Sequence, residues 1–298
     1  HLITYQQPVR LTGFHANLYY HEVRVPTYPL FDYPPYETAL ASAMVDVVLN
    51  HGIELLHVHY AIPHASAAWM AQQILAEQGI HIPFITTLHG TDITLVGNDP
   101  SFEPVVTFAI NHSDAVTSVS ESLKTDTYTN FPNIKKEIKV IHNFVCLEDY
   151  EQTEPKCDRN TFTPYGEKLL IHVSNFRKVK RVEDVLRVFD KVRKAIPSKL
   201  ILIGDGPERS NIEKLCRELD TCDDIKNLGK VVNPENILAI ADLFLLTSET
   251  ESFGLAALEA MASGVPVISS NTGGIPEVNV HGFSGMMSNV GDVEDMAN

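Results

Sequence analysis

Short apolar runs rich in Val, Ile and Leu alternate with longer segments of helical periodicity along this sequence of 298 residues. Strands of a parallel sheet are buried on both faces and are joined by helices, so this alternation is typical of β-α units. Residues 182–195 predict one such helix, because their apolar side chains recur on one face. The apolar runs predict strands over residues 53–58, 84–87, 115–119, 139–141, 169–173, 200–203, 243–246 and 265–269. The sequence therefore predicts an α/β fold built on parallel sheets.

The β-α pattern occurs on both sides of a polar, proline-bearing stretch that follows residue 150. A chain of this length is also more typical of two domains than of one. We therefore predict two doubly wound, Rossmann-like domains facing a cleft, over residues 1–150 and 167–298, with a linker over residues 151–166. The sequence opens without an earlier glycine-rich turn, and its last residues begin a helix. We expect both chain ends to be truncated, without the first strand and its glycine-rich loop and without the C-terminal helix.

The charge balance excludes some classes of partner. The chain carries 23 Lys and Arg against 38 Asp and Glu, which gives a formal net charge of −15. This charge opposes binding to nucleic acid and to anionic membranes. The apolar runs are also much shorter than the roughly 20 residues that cross a bilayer. We predict small-molecule ligands, no nucleic-acid or membrane partner, and a local basic pocket for any phosphate; the oligomeric state, a homo-oligomer included, is left open.

Cysteine and histidine spacings bear on redox state and on metals. The four cysteines form no C-x-x-C pair and are too few for a disulfide framework, so we predict thiols in a reducing cytoplasm. No D-x-D or H-E-x-x-H motif occurs in the sequence. The spacing of His57, His59 and His64 resembles that of metal ligands, but no Cys or carboxylate stands close in sequence to complete a site. We predict satisfied or substrate-facing histidines and no metal site.

A cluster of cations follows the strand predicted over residues 169–173. Arg177, Lys178, Lys180 and Arg181 stand directly before the helix predicted over residues 182–195. A helix N-terminus with nearby cations is a site for anions, whereas a charge run is often only a solvated turn. Because ligands of open α/β sheets bind beyond the carboxyl ends of the strands, the position favours phosphate.

Two carboxylates and two glycine-rich turns complete the set of polar segments after strands. Glu251 lies in a predicted loop, and Glu259 lies eight residues later inside a helix that ends near Gly264. Carboxylates accept hydrogen bonds from vicinal diols, so this pair suits a sugar or a ribose, although a helical Glu is more often solvated. The turn at Gly273 is predicted to precede another helix and to close on a phosphate or a sugar. The turn Gly204-Asp-Gly-Pro lacks the later glycine of a dinucleotide fingerprint, so we predict no NAD-type cofactor.

Taken together, these motifs resemble the retaining nucleotide-sugar glycosyltransferases of the GT-B fold. Within that family, the first half is similar to the bacterial enzymes that transfer N-acetylglucosamine to L-malate, the first step of bacillithiol biosynthesis. The similarity extends over essentially the whole chain. The segments that carry it are residues 31–42, 57–65, 86–93 and 172–181, the Gly204-Asp-Gly-Pro turn, the Glu251 and Glu259 pair, and Gly273-Gly-Ile-Pro-Glu.

The resemblance implies a donor site in the second half of the chain. Glu251 is expected to contact hydroxyls of the transferred sugar, Glu259 to hold the ribose, and Lys180 to bind the diphosphate. Relatives often carry Gly-Arg at the positions of Ser174 and Asn175, so Arg177 or Arg181 is expected to supply the second cation. The implied donor-binding residues are Asn175, Arg177, Lys180, Arg181, Gly204, Glu251, Phe253, Gly254, Leu255 and Glu259.

The resemblance implies catalytic and acceptor residues as well. His89 matches a histidine near the reacting sugar and joins Lys180 and Glu251 as the implied catalytic set. Cys146 stands where relatives commonly carry Asp, so it is left out of the site. The implied acceptor-binding residues are Arg10, Tyr60, Thr87 and Asn143.

The implied reaction moves N-acetylglucosamine from UDP-N-acetylglucosamine to the hydroxyl of L-malate, with retention of configuration and without a cofactor. No carboxylate stands out as a nucleophile, which favours attack on the face that the phosphate leaves. Three alternatives stay open from the residues: a GT-B glycosyltransferase with a sugar or inositol phosphate acceptor, a catalytically silent nucleotide-sugar-binding module, and a nucleotide-sugar epimerase.

Overall fold

The computed structural model describes residues 1–8, 11, 13, 15–25, 35–95, 99–150 and 157–298. The chain forms two compact units, His1–His142 and Asn143–Asn298. Both units are built from parallel strands joined by helices, so the predicted α/β class is confirmed. Residues 151–156, which open the predicted linker, lie outside the described ranges.

The first unit contains two parallel sheets. A small sheet pairs β1 (Leu2–Thr4) with β2 (Tyr20–Glu22). The larger sheet has four strands in chain order: β3 (Leu56–His59), β4 (Phe84–Leu88), β5 (Ala115–Ser118) and β6 (Ile138–Val140). Its helices are α1 (Tyr36–His51), α2 (Ser66–Glu77), α3 (Glu103–His112) and α4 (Glu121–Asn130). Buried apolar side chains of α1, α2 and β4, among them Met44, Leu75 and Phe84, form one core cluster.

The second unit contains one six-stranded parallel sheet in the order β12-β11-β10-β7-β8-β9. The strands are β7 (Lys168–Val173), β8 (Ser198–Ile203), β9 (Ile225–Gly229), β10 (Leu243–Leu246), β11 (Val267–Ser270) and β12 (Gly285–Ser288). The helices are α5 (Val182–Ala195), α6 (Arg209–Glu218), α7 (Glu235–Leu238), α8 (Leu255–Ala262) and α9 (Val293–Ala297). The chain builds one half of the sheet outward from β7 and the other half outward from β10, so the topological switch point lies between these two strands.

Both faces of the six-stranded sheet are covered. Leu170 packs in a core cluster with α5 and α9, whereas the next residue, Ile171, packs in a cluster with α8. Successive side chains of a strand point to opposite faces, so the two clusters lie on opposite sides of the sheet. This double cover accounts for the continuous apolar runs that predicted parallel strands.

Some element boundaries differ from the predicted ones. The helix predicted over 182–195 is confirmed as α5, whereas the strand predicted from residue 53 begins at Leu56. The helix α8 begins after Gly254, whose left-handed φ of +95° precedes it. The helix predicted after Gly273 is wrong: only the short turn Ile275–Glu277 forms. Asn279 then donates to Ser269 and to the Met286 carbonyl, which directs the chain into β12.

The prediction of four thiols is wrong for one pair of cysteines. Cys216 on α6 and Cys222 in the following turn are joined in a disulfide, with their Cα atoms 5.2 Å apart. The chain reverses between them, where Asp220 takes a left-handed φ of +53°. A separation of six residues does not by itself reveal this reversal. Cys146 and Cys157 are free.

Within the described ranges, no helix is long and apolar enough to cross a lipid bilayer.

A buried histidine links β7 to its neighbours. The ring of His172 has Nδ1 2.8 Å from the Leu245 carbonyl and Nε2 2.8 Å from the Ser174 hydroxyl. A carbonyl can only accept, so Nδ1 carries the proton and Nε2 accepts from Ser174. Complete burial is the main cause that lowers the pKa of His172 to about 4. The ring is therefore neutral at pH 7.

We expect His172 to make stability fall on mild acidification. Its pKa is near 6.5 in the unfolded chain, which therefore binds more protons than the folded chain between pH 6.5 and 4. The free energy of unfolding should fall as pH drops through this window, by up to about 3 kcal/mol from this group. Denaturant unfolding at pH 7 and pH 5 measures how the free energy of unfolding changes with pH. His172→Asn should reduce this change, whatever its stability at pH 7, whereas His281→Asn at the surface should not. The same pH dependence in the wild type and both variants would contradict the assignment.

Candidate active site

Loops that follow four adjacent strands of the second unit meet at one rim of its sheet. They are residues 174–181 after β7, 204–208 after β8, 247–254 after β10 and 271–277 after β11. The loops after β7 and β10 flank the switch point, which is where open α/β sheets bind their ligands. The loop after β7, residues 174–181, is the basic loop that contains Lys180, and the loop after β10 contains Glu251.

The loop after β8 packs directly on the basic loop. Glu208 N–H donates to the Phe176 carbonyl at 3.0 Å. A Cβ at Gly204 would overlap with the Ser174 carbonyl oxygen, and a Cβ at Gly206 would overlap with that of Asn175. The two glycines of the Gly-Asp-Gly turn are therefore required for contact between backbones.

The loop after β10 is bonded to the basic loop on its other side. Glu249 N–H donates to the Val179 carbonyl at 2.7 Å. The Thr247 hydroxyl lies 3.1 Å from the Lys180 carbonyl and 2.9 Å from the Arg181 carbonyl. The last three residues of the basic loop, directly before α5, are therefore held by the loop that follows β10.

The glycine-rich turn after β11 closes on the loop that carries Glu251. Gly274 N–H donates to the Glu251 carbonyl at 2.8 Å. Gly273 has a left-handed φ of +53°, and a Cβ there would overlap with the same carbonyl oxygen. A Cβ at Gly274 would overlap with the carbonyl of Ser252. These two glycines close on the neighbouring loop, and their predicted contact with a phosphate or a sugar stays a prediction.

An ion pair lies between the loops at the switch point. Lys180 Nζ is 2.6 Å from Glu251 Oε2, and the two side chains are only 21% and 16% exposed. The Ser248 hydroxyl donates to the same carboxylate oxygen at 3.0 Å. An ammonium group carries three donors, so Lys180 can hold Glu251 and an anionic ligand at the same time.

The two arginines that the sequence left open differ in their surroundings. Arg181 has a left-handed φ of +48°, and its Nε donates to Asp184 at 2.6 Å. Asp184 is buried and also pairs with Arg187. Arg177 is exposed on the loop. Arg181 is thus tied to the first turn of α5, whereas Arg177 is presented to solvent.

The other predicted donor residues lie on the same rim or just below it. Gly204 and Asn175 stand at the turns described above, and Phe253 is buried beneath the loop that leads into α8. Leu255 opens α8 and is exposed. Glu259 lies one turn further along α8 and is almost fully buried. The structure therefore brings the predicted donor set together around the switch point of the second unit.

Histidines and hydroxyls of the first unit cluster at the ends of β3 and β4. His57 Nε2 is 2.8 Å from Thr87 Oγ1, and Thr87 Oγ1 is 2.7 Å from Thr117 Oγ1. His59 Nδ1 is 2.7 Å from His89 Nε2. Thr87 is 9% exposed and hydrogen-bonded inside the sheet, so its predicted contact with an acceptor stays a prediction.

The ring of His89 is neutral at pH 7. Burial, together with His59 and His57 nearby, lowers the pKa of His89 to about 4. Burial also lowers the pKa of His59. Their contact is therefore a hydrogen bond between two neutral rings, in which one ring donates and the other accepts. The ring of Tyr60 packs against His89 with centroids 5.1 Å apart.

Asp92 is a residue of this rim for which the sequence predicted no role. It is 2% exposed and accepts from Ala61 N–H at 2.8 Å and from Gly90 N–H at 3.0 Å. Burial raises its pKa, and the backbone donors oppose that rise. Asp92 thus ties the turn after β3 to the loop that carries His89. The available signal was an acidic residue two positions after a glycine in the segment that follows β4.

Three other predictions have different outcomes. Arg10 lies outside the described residues. Asn143 is the first residue of the second unit and is partly exposed. Among the described residues, the one group of potential metal ligands with all its ligand atoms within 4.8 Å consists of His1, His21 and His51. It includes none of the histidines at the ends of β3 and β4.

Two family profiles match the chain, one on each half. Glycosyltransferase Family 4 matches residues 1–149, and Glycosyl transferases group 1 matches residues 155–298. The chain belongs to the GT-B glycosyltransferases, and the predicted family and enzyme class are confirmed.

The chain is also similar to individual proteins of this family. The chain is 46% identical over 299 residues to N-acetyl-alpha-D-glucosaminyl L-malate synthase of Bacillus anthracis, covering 100% of this chain and 77% of that protein. It is 29% identical to uncharacterized glycosyltransferase MJ1607 of Methanocaldococcus jannaschii, over 69% of this chain and 56% of that protein. Among solved structures, sucrose-phosphate synthase of Thermosynechococcus elongatus shares the fold with a TM-score of 0.73 and 21% identity, covering 92% of this chain and 71% of that one.

The contact at Gly273 predicts a specific cost. Gly273→Ala adds a Cβ that overlaps with the Glu251 backbone, whereas Gly229→Ala adds one to open space at a similar φ of +65°. Both variants carry the strain of a left-handed alanine, so only the overlap differs. We expect Gly273→Ala to lower the free energy of unfolding by about 1 to 3 kcal/mol more than Gly229→Ala. Denaturant unfolding measures both, and equal losses would show that the turn does not press on the Glu251 loop.

Proposed function

We propose that this protein transfers N-acetylglucosamine from UDP-N-acetylglucosamine to the hydroxyl of L-malate with retention of configuration, the first step of bacillithiol biosynthesis. The observation that carries the proposal is the 46% identity to the malate synthase over the whole length of this chain. The grouping of the predicted donor residues at the switch point of the second unit supports it.

In the proposed reaction, Lys180 and Glu251 bind different parts of the donor. Lys180 binds the diphosphate, and Glu251 accepts hydrogen bonds from sugar hydroxyls while it stays within reach of Lys180 and Ser248. Arg177 is the better candidate for the second cation, because Arg181 is bonded to Asp184. Glu259, almost fully buried in α8, is proposed to hold the ribose.

The proposed chemistry takes place on one face of the sugar. The bond between the anomeric carbon and the donor phosphate oxygen breaks, and the malate hydroxyl oxygen forms its bond on the same face. The departing phosphate accepts the hydroxyl proton, so no side chain has to act as a nucleophile. Lys180 stabilises the negative charge that develops on the phosphate, an effect commonly worth about 3 kcal/mol for one preorganised group. No divalent metal or cofactor is required in this scheme.

The acceptor half is proposed at the ends of β3 and β4. Tyr60 offers a phenol to a malate carboxylate without adding negative charge. Thr87, whose hydroxyl shares a hydrogen bond with His57, is proposed to meet the malate as well. The neutral ring of His89 is proposed to face the reacting sugar. Arg10 and Asn143 remain in the proposed acceptor set on the strength of the sequence resemblance.

The cytoplasm is the proposed location of the reaction. The free thiols of Cys146 and Cys157 suit a reducing compartment, whereas the bond between Cys216 and Cys222 does not. Thiol labelling of the protein in its source cells, before and after reduction, shows whether Cys216 and Cys222 are bonded there and so whether the compartment is a reducing one.

Product analysis tests the proposed reaction. The protein is incubated with UDP-N-acetylglucosamine and one acceptor at a time: malate, another hydroxy acid, a sugar or inositol phosphate. The products are identified by mass spectrometry. We expect an N-acetylglucosamine adduct with malate, formed equally well after exhaustive chelation. A product that forms only with another acceptor would show that the protein is a GT-B glycosyltransferase for that acceptor instead of malate. Loss of activity that magnesium or manganese restores would contradict the metal-free scheme.

Lys180 and Lys178 provide a matched test of the donor site. Both lie in the turn Lys178–Lys180, but only Lys180 is paired with Glu251 among the described contacts. A hydrogen bond to a charged group is worth about 1.5 to 3 kcal/mol, so Lys180→Ala should weaken UDP binding at least about tenfold. Lys178→Ala should stay within about twofold. Calorimetric titration with UDP measures both, and similar affinities in the two variants would place the diphosphate elsewhere.

Tyrosine and threonine variants test the acceptor half. Tyr60→Phe should raise the KM for malate and leave the KM for the UDP donor nearly unchanged, as loss of binding to one substrate does. Thr87→Val should raise it too and also lower stability, because His57 and Thr117 lose their partner. Tyr128→Phe is the control: its hydroxyl bonds the Lys136 carbonyl and Ile138 N–H, so it should cost stability alone. An unaltered malate KM in both site variants would exclude these residues from the acceptor site.

A further inference from the structure

Three histidines of the first unit lie close together, and none of them belongs to the group at the ends of β3 and β4. His1 directly precedes β1, and His21 is the middle residue of β2, the strand that pairs with β1. His51 is the last residue of α1, which ends at Gly52 in a left-handed conformation. The three side chains thus come from three separate elements.

Ring nitrogens of these three histidines lie close to one another. One nitrogen from each ring lies within 4.8 Å of the other two. His1 Nδ1 and His21 Nε2 are 2.8 Å apart. The ring of His51 packs against both, with centroids 4.5 Å from His1 and 5.3 Å from His21. The ring of Tyr19 stacks on the ring of His1 with centroids 4.7 Å apart and holds it in place.

These distances are close to what a metal ion requires. Imidazole nitrogens bind zinc at about 2.0 to 2.1 Å, which puts two ligands of a tetrahedral site about 3.3 Å apart. The pair at 2.8 Å would open slightly, and the third nitrogen would move inward by a rotation of its ring. The contact between His1 Nδ1 and His21 Nε2 is a hydrogen bond, in which one ring donates and the other accepts.

We propose that His1, His21 and His51 form a binding site for a divalent transition metal ion of the zinc class. Three imidazoles suit zinc, nickel and copper, whereas magnesium and calcium prefer oxygen ligands. A tetrahedral ion would keep its fourth position for water. The site joins the β1–β2 sheet to the end of α1, so an ion there stabilises the folded first unit by binding it and not the unfolded chain.

The proposed site contains none of the residues assigned to the transferase reaction and does not depend on that reaction. Zinc binding therefore serves as the readout, and activity serves only as a check that each protein is folded. His51 is exposed at the end of a helix, so His51→Gln should fold normally. His112 is the matched control, because it is also an exposed histidine at the last position of a helix, α3.

The experiment measures zinc binding by calorimetry and thermal unfolding with and without zinc, on the full chain and its variants. We expect one zinc ion to bind the wild type and to raise its Tm, and magnesium to do neither. His51→Gln and His21→Gln should each weaken that binding at least about tenfold, since even partners outside the ligand set cost this much. His112→Gln should leave the affinity within about twofold.

X-ray absorption at the zinc edge gives a second measurement, with three nitrogen ligands at about 2.0 to 2.1 Å expected in the wild type. Zinc affinity that is unchanged in His51→Gln would overturn the proposal, because the ion would then bind elsewhere, for example among the histidines at the ends of β3 and β4. Equal losses in His51→Gln and His112→Gln would overturn it as well, since they would indicate scattered surface binding.

Discussion

The ion pair between Lys180 and Glu251 joins the loop after β7 to the loop after β10, and the rim of the second unit is arranged around it. Both side chains are mostly buried, so each charge would be costly without the other. The backbone of Lys180 is fixed as well, because its carbonyl accepts from Thr247. In the proposed donor site, Glu251 balances the charge of Lys180 when no ligand is bound.

The loops around this pair are held by contacts between backbones. The carbonyl of Ser174 excludes a side chain at position 204, and the carbonyl of Glu251 excludes one at position 273. Both glycines belong to the turns by which the sequence resembles nucleotide-sugar glycosyltransferases. The structure gives them a shared physical role, in which close packing of neighbouring loops sets the positions of Lys180 and Glu251.

The sequence predicted the parallel sheets, the helix α5 and the grouping of donor residues, because apolar periodicity and the carboxyl ends of strands are local signals. It did not predict β1, β2, β9 or β12. The internal bonds of Thr87 with His57 and Thr117, the disulfide of Cys216, and the grouping of His1 with His21 and His51 were also missed. These contacts depend on turns and on pairings between distant segments, for which a single sequence carries no periodic signal.

The most direct test of the central role of the ion pair is the affinity of Glu251→Gln for UDP, measured by calorimetry beside its turnover with UDP-N-acetylglucosamine and malate. Glutamine keeps the shape of the side chain and removes its charge. We predict that UDP binds the variant as tightly as the wild type or more tightly, because Lys180 no longer has a competing anion, while turnover falls at least about tenfold with the lost hydrogen bonds to the sugar. A UDP affinity as low as that of Lys180→Ala, together with full turnover, would contradict the assignment of the pair to the donor site.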